Sequence, residues 1–132
     1  MAYTVQQLPG EPILVITFYP PLDAAADPAG AMREIDRLLE GIEGRVYHIG
    51  DRTRLNLSLV DLIQGLSAAR PHFRPDKVTY LQVVDKLSEI TRGTLNLEAF
   101  GGLDLILVSS IEEGIRYARA QIAQNRDPSR LP

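Results

Sequence analysis

The chain has 132 residues, with 14 Lys plus Arg against 17 Asp plus Glu and a formal net charge of −3. That length makes one domain, and 45% hydrophobic with 23% charged residues is the composition of a chain that buries a core, which excludes disordered and low-complexity scaffolds. The absence of Cys excludes a disulfide framework, a thiolate nucleophile and Cys-ligated metal, and the slightly acidic balance argues against bulk binding to nucleic acid or an anionic membrane.

Tyr3 to Gln7 reads as a short strand ending in Leu8-Pro9-Gly10-Glu11. There Pro fixes φ at the second turn position and Gly accepts a positive φ at the third, the chemistry of a type II turn. Ile13 to Phe18 follows as a continuous β-branched and aromatic run, which predicts a strand buried on both faces and paired with the first as a hairpin. The longest apolar run, Ile13 to Tyr19, is seven residues, against the roughly 20 needed to cross a bilayer, so no membrane span is expected. Met1 to Gly10 lacks the basic-then-apolar order of a secretory signal, and a cytoplasmic location is the expectation.

Asp27-Pro28 predicts a helix start, and Met32, Ile35, Leu38, Leu39 and Ile42 recur at helical spacing as far as a stop at Gly44. Arg45 to Ile49 reads as a second core strand ending at Gly50-Asp51. Ser58-Leu59-Val60-Asp61 opens a second helix whose apolar face is Leu59, Leu62, Ile63 and Leu66, ending at Arg70-Pro71. Pro71 to Asp76 is a polar loop, and Lys77 to Val84 is a third core strand closed by Asp85. Lys86 to Phe100 carries a helical stripe interrupted by Gly93-Thr94, which leaves one helix or two open. Leu103 to Val108 is the last strand. Ser109-Ser110-Ile111-Glu112-Glu113 opens the last helix with two overlapping capping boxes, and Ile111, Ile115, Ala118 and Ile122 line its buried face.

The order is ββαβαβαβα: an α/β domain over residues 1–124, with a mixed, mostly parallel sheet of about five strands, an N-terminal hairpin and four helices. Residues 125–132 form a polar tail. No internal repeat is visible.

Three features resemble STAS domains, the SpoIIAA-like, anti-sigma-factor-antagonist type of bacterial regulatory module. The first is Val46-Tyr47-His48-Ile49-Gly50-Asp51, a polar loop, and a helix starting near Ser58; the second is Val78 to Val84 closed by Asp85; the third is the run from Gly101 to Ile115. The resemblance implies a non-enzymatic protein-interaction module with an Asp at the end of the strand, Asp51, and a regulatory Ser at the helix start, Ser58. At that start the chain reads Leu57-Ser58-Leu59 in place of the antagonists' Asp-Ser-type signature. The wider group also implies an alternative, a small carrier holding a lipophilic ligand between sheet and helices.

Each candidate residue has a plain reading beside the functional one. Ser58 is first a helix cap; as a phosphoacceptor it would place a phosphate on a helix N-terminus, with Arg52 and Arg54 close in sequence to pair with it. Leu55, Leu57, Leu59, Val60, Leu62, Ile63 and Leu66 exceed what one buried face needs, so Asp51, Arg52, Arg54, Leu55, Ser58 and Leu59 form the candidate regulatory or partner surface. The partner would be another protein or a second copy of the chain. Asp51, Asp85, Ser109 and Ser110 fall at the carboxyl ends of the proposed parallel strands, where a crevice forms at a reversal of strand order; they also read as helix caps. His48 reads as a packed strand residue and His72 as a solvated loop residue, and two isolated His predict no metal site. No nucleophile elbow, phosphate loop or dinucleotide fingerprint is present, so neither catalysis nor a cofactor is expected.

Overall fold

The computed structural model of the chain describes residues 2–21, 27–56, 70–84 and 105–126. Five strands make one sheet in consecutive order: β1 (Tyr3–Gln7), β2 (Ile13–Phe18), β3 (Val46–Asp51), β4 (Val78–Val83) and β5 (Ile106–Val108). β1 runs antiparallel to β2; every other pairing is parallel.

The hairpin forms where local chemistry demands it. Gly10 takes φ +74°, and the Glu11 N–H donates to the Leu8 carbonyl at 3.0 Å, which closes the turn. All six residues of β2 are buried, as a run with no polar face requires.

The α-helix α1 (Asp27–Glu40) crosses from β2 to β3 over one face of the sheet. It lays Ala31, Ile35 and Leu39 onto Leu14, Ile16, Phe18, Val46 and Tyr80. Its last turn tightens, with Gly41 and Ile42 donating to the carbonyls three residues back, and Gly44 takes φ +79°.

The other face is packed by α2 (Ile111–Arg126), which follows β5 and runs through Arg126, past the expected end of the domain at 124. Ala118 is fully buried there against a cluster of Ile13, Val15, Tyr47, Ile49, Leu81, Val83 and Val108. Gly114 permits the close approach, since a Cβ at that position would sit 3.2 Å from Ile49 side-chain carbons. Arg119 ties α2 to the hairpin turn through a two-pronged ion pair with Glu11, at 2.9 and 3.0 Å.

Both faces of the sheet are therefore covered. The helices expected over 58–70 and 86–100, and the start of the last strand at Leu103, lie outside the described residues. β3 continues two residues past its expected end at Ile49, because Gly50 and Asp51 still pair with neighbours on both sides. No helix among the described residues is long and apolar enough to cross a membrane.

Candidate functional site

Because side chains alternate along a strand, β3 has two different faces. Tyr47 and Ile49 lie in the cluster under α2. His48, Gly50 and Arg52, at the intervening positions, turn to the side of α1. The ladder places Gly50 beside Ile16 on β2 and beside Gln82 on β4, and His48 beside Tyr80. Four polar side chains, those of His48, Arg52, Tyr80 and Gln82, thus meet on one patch of an otherwise apolar surface.

A cavity opens over that patch, between α1 and the sheet. Its enclosed portion has room for only a few water molecules, and it widens into a cleft open to solvent. Its apolar walls come from Ile16 and Phe18 of β2, Ala31, Met32 and Ile35 of α1, and from Phe73 and Leu105. The polar residues that line it are His48, Arg52, Tyr80 and Gln82, and no carboxylate lines it among the described residues.

Each polar group has a definite partner or a definite lack of one. Arg52 Nη1 donates to Gln82 Oε1 at 3.1 Å, and its guanidinium lies over the Phe18 ring, 4.7 Å from the centroid. Gly50 is what lets Gln82 come this close, for a Cβ there would lie 3.1 Å from Gln82 Oε1. Gln82 itself is only 2% exposed. The Tyr80 hydroxyl accepts from the Arg74 N–H at 2.8 Å, and its ring makes tilted contacts with Phe73 and His48, with centroids 4.4 and 5.2 Å away. His48 Nδ1 is buried and has no hydrogen-bond partner.

Burial sets the electrostatics. It is the main reason that the His48 pKa falls to about 4, with the nearby Arg52 charge adding to the effect. His48 is therefore neutral at neutral pH. Burial also lowers Arg52 to about 10, which leaves it charged, and raises Tyr80. A neutral imidazole, a neutral phenol and a half-buried cation can bind and orient a ligand; they offer no base poised near neutral pH.

The residues expected to carry function are distributed differently. Asp51 is 8% exposed and accepts from both the Thr53 N–H, at 2.9 Å, and the Thr53 hydroxyl, at 2.6 Å, so it shapes the turn after β3. That turn is a short 3-10 segment, Thr53–Leu55, ending in Asn56 with φ 56°. Arg52 and Arg54 separate: Arg52 goes into the cavity, whereas Arg54 is exposed and lies 5.3 Å from the Tyr19 ring centroid. Leu55, placed by the sequence on the candidate partner surface, is half-buried against the α1-side core. Ser58, Leu59 and Asp85 lie outside the described residues.

Ser109 and Ser110 are caps. The Glu113 N–H donates to Ser110 Oγ at 3.1 Å, the Ser109 N–H donates to Glu113 Oε2 at 2.8 Å, and the Ser109 hydroxyl donates to the same oxygen. Ser110→Ala is expected to cost about 1 kcal/mol in urea unfolding, with α2 otherwise intact. The crevice assigned to Asp51, Asp85, Ser109 and Ser110 depended on a reversal of strand order, and the observed order runs straight through from β1 to β5. His72 is exposed, as expected of a loop residue. Among the described residues no group of three or more His, Asp or Glu is placed to hold a metal ion.

No protein-family model, curated protein or solved structure matches this chain. The cavity therefore stands as the guide to function. Two of its members, Tyr80 and Gln82, escaped the sequence reading. The signal for Gln82 was a lone amide inside the strand-like run Val78-Thr79-Tyr80-Leu81-Gln82-Val83.

Proposed function

We propose that the chain is a non-enzymatic regulatory module of STAS-like architecture that takes a small, mostly apolar ligand between α1 and the sheet. The single observation behind this reading is the cavity itself. Its walls are apolar, and its polar groups converge on one patch, the usual composition of a small-molecule site. The consecutive sheet order with one antiparallel N-terminal strand is the feature that favours a STAS-like architecture.

The regulatory part of the proposal follows from where Arg52 sits. It is the residue immediately before the turn Thr53–Leu55, and Leu55 packs on the same core cluster as Phe18. A ligand that engages Arg52 acts on the junction leading into the segment where the STAS resemblance places partner contacts and the regulatory Ser58. Occupancy would then be passed to another protein, or to a second copy, through that segment.

The test is a thermal-shift screen of small apolar alcohols, amides and acids on the wild type and on Met32→Trp. Met32 lines the cavity from α1 and is only partly buried, so a larger ring there narrows the opening without entering the tightly packed core. A true ligand raises the wild-type Tm, by about 2.7 kcal/mol of stabilisation at a hundredfold excess over Kd, and leaves Met32→Trp nearly unmoved. Equal shifts in both proteins, or none in either, would defeat the proposal.

A further inference from the structure

The geometry points to a monoanionic head on that ligand: a small carboxylate with a compact apolar body, its carboxyl group seated on Arg52 beside His48. This rests on the cavity being a ligand site, and it adds the chemical class that the site selects.

Arg52 carries five N–H donors, and among the described residues it is engaged through one hydrogen bond, to Gln82, and through the Phe18 ring. Among the described residues no carboxylate pairs with it. Arg52 is half-buried, and a cation drawn even partly out of water without a counter-charge is costly, so proteins ordinarily pair it. Gln82 does not remedy this, because an amide oxygen accepts a hydrogen bond without neutralising the charge.

His48 supplies the second observation. It lies on the same face of β3, two strand rows from Arg52, and its Nδ1 is buried with no partner. A carboxylate supplies the counter-charge that Arg52 lacks: its oxygens accept from guanidinium N–H groups that Gln82 leaves unused, and the neutral His48 beside them adds no second charge.

The charge count decides between anions. Among the described residues the cavity walls offer one cation, a neutral His and, at Pro28, the first turn of α1, so a monoanion balances the one formal charge and a phosphate dianion leaves excess negative charge against apolar walls. The apolar walls formed by Ile16, Ile35, Met32 and Phe73 take the body of the acid.

The experiment is isothermal titration calorimetry at neutral pH with three acid and amide pairs: benzoate and benzamide, pentanoate and pentanamide, 3-methylbutanoate and 3-methylbutanamide. At least one acid is expected to bind the wild type about tenfold to a hundredfold more tightly than its amide, the range given by one charge-assisted hydrogen bond. Arg52→Met, checked for its fold by circular dichroism, should bring acid and amide to equal affinity, and Arg52→Lys should restore part of the preference. Acid and amide binding the wild type equally would overturn the anion assignment while leaving the cavity as a ligand site. A preference that survives in Arg52→Met would overturn it as well. If no member of any pair binds the wild type, the cavity reading falls and the anion assignment falls with it.

Discussion

Acidification from neutral pH to pH 4 is expected to cost the fold up to about 3 kcal/mol through His48 alone. The folded-state pKa of about 4 lies below the ordinary value of 6.5. Above the ordinary value both folded and unfolded chains hold a neutral imidazole, and stability does not depend on it. Between the two values the unfolded chain binds a proton that the folded one refuses, so stability falls as the pH drops. Below about 4 both are protonated and the loss levels off. Urea unfolding of wild type and His48→Phe across this range isolates the effect, because carboxylates titrating in the same window contribute to both and cancel in the difference. Phe keeps the stacking on Tyr80 and removes the titration. Parallel curves for the two proteins would mean that His48 is not held neutral in the fold.

The second large effect contrasts two partners in one hydrogen bond. Arg52→Met should change stability by no more than about 1 kcal/mol, because removing a cation that burial disfavours and keeping an apolar stem over Phe18 offset the loss of a donor to the buried Gln82 Oε1. Gln82→Leu should cost more, about 1.5–3 kcal/mol, since it strips the guanidinium of its acceptor and leaves the charge behind. The double variant should recover most of that cost, and the non-additivity measures the coupling. A residue whose removal costs the fold so little is retained for something other than folding. If Arg52→Met proves as damaging as Gln82→Leu, Arg52 is a structural residue.

Much of the fold was legible because its signals are local. Pro9-Gly10 carries its own turn, Ser110 and Glu113 sit at capping-box spacing, and the apolar run from Ile13 to Phe18 has no face that water could share. The candidate site was less legible because its assembly is non-local. His48, Gly50 and Arg52 show a two-residue spacing that marks one side of a strand, and a glycine inside a strand signals close approach by a neighbour. Neither feature says which neighbour. Only the ladder brings Gly50 beside Gln82 and His48 beside Tyr80, and that register depends on two strands about 30 residues apart in sequence. Sequence proximity suggested instead that Arg52 and Arg54 act together. The pleat sends Arg52 inward, and Arg54, two positions later in a 3-10 turn, no longer follows the strand's alternation.

The straight strand order gives the two halves of the core different histories. Each strand of the sheet pairs with the one made just before it, so the ladder can grow in step with synthesis, and the α1 side closes early over the hairpin and β3. Among the described residues, the far side is covered by the last helix alone. Until residues 111–126 have been made, Ile13, Val15, Ile49, Leu81 and Val83 have no α2 to pack against. A nascent or clipped chain that stops short of α2 therefore lacks the cover that, among the described residues, these aliphatic side chains have on that face.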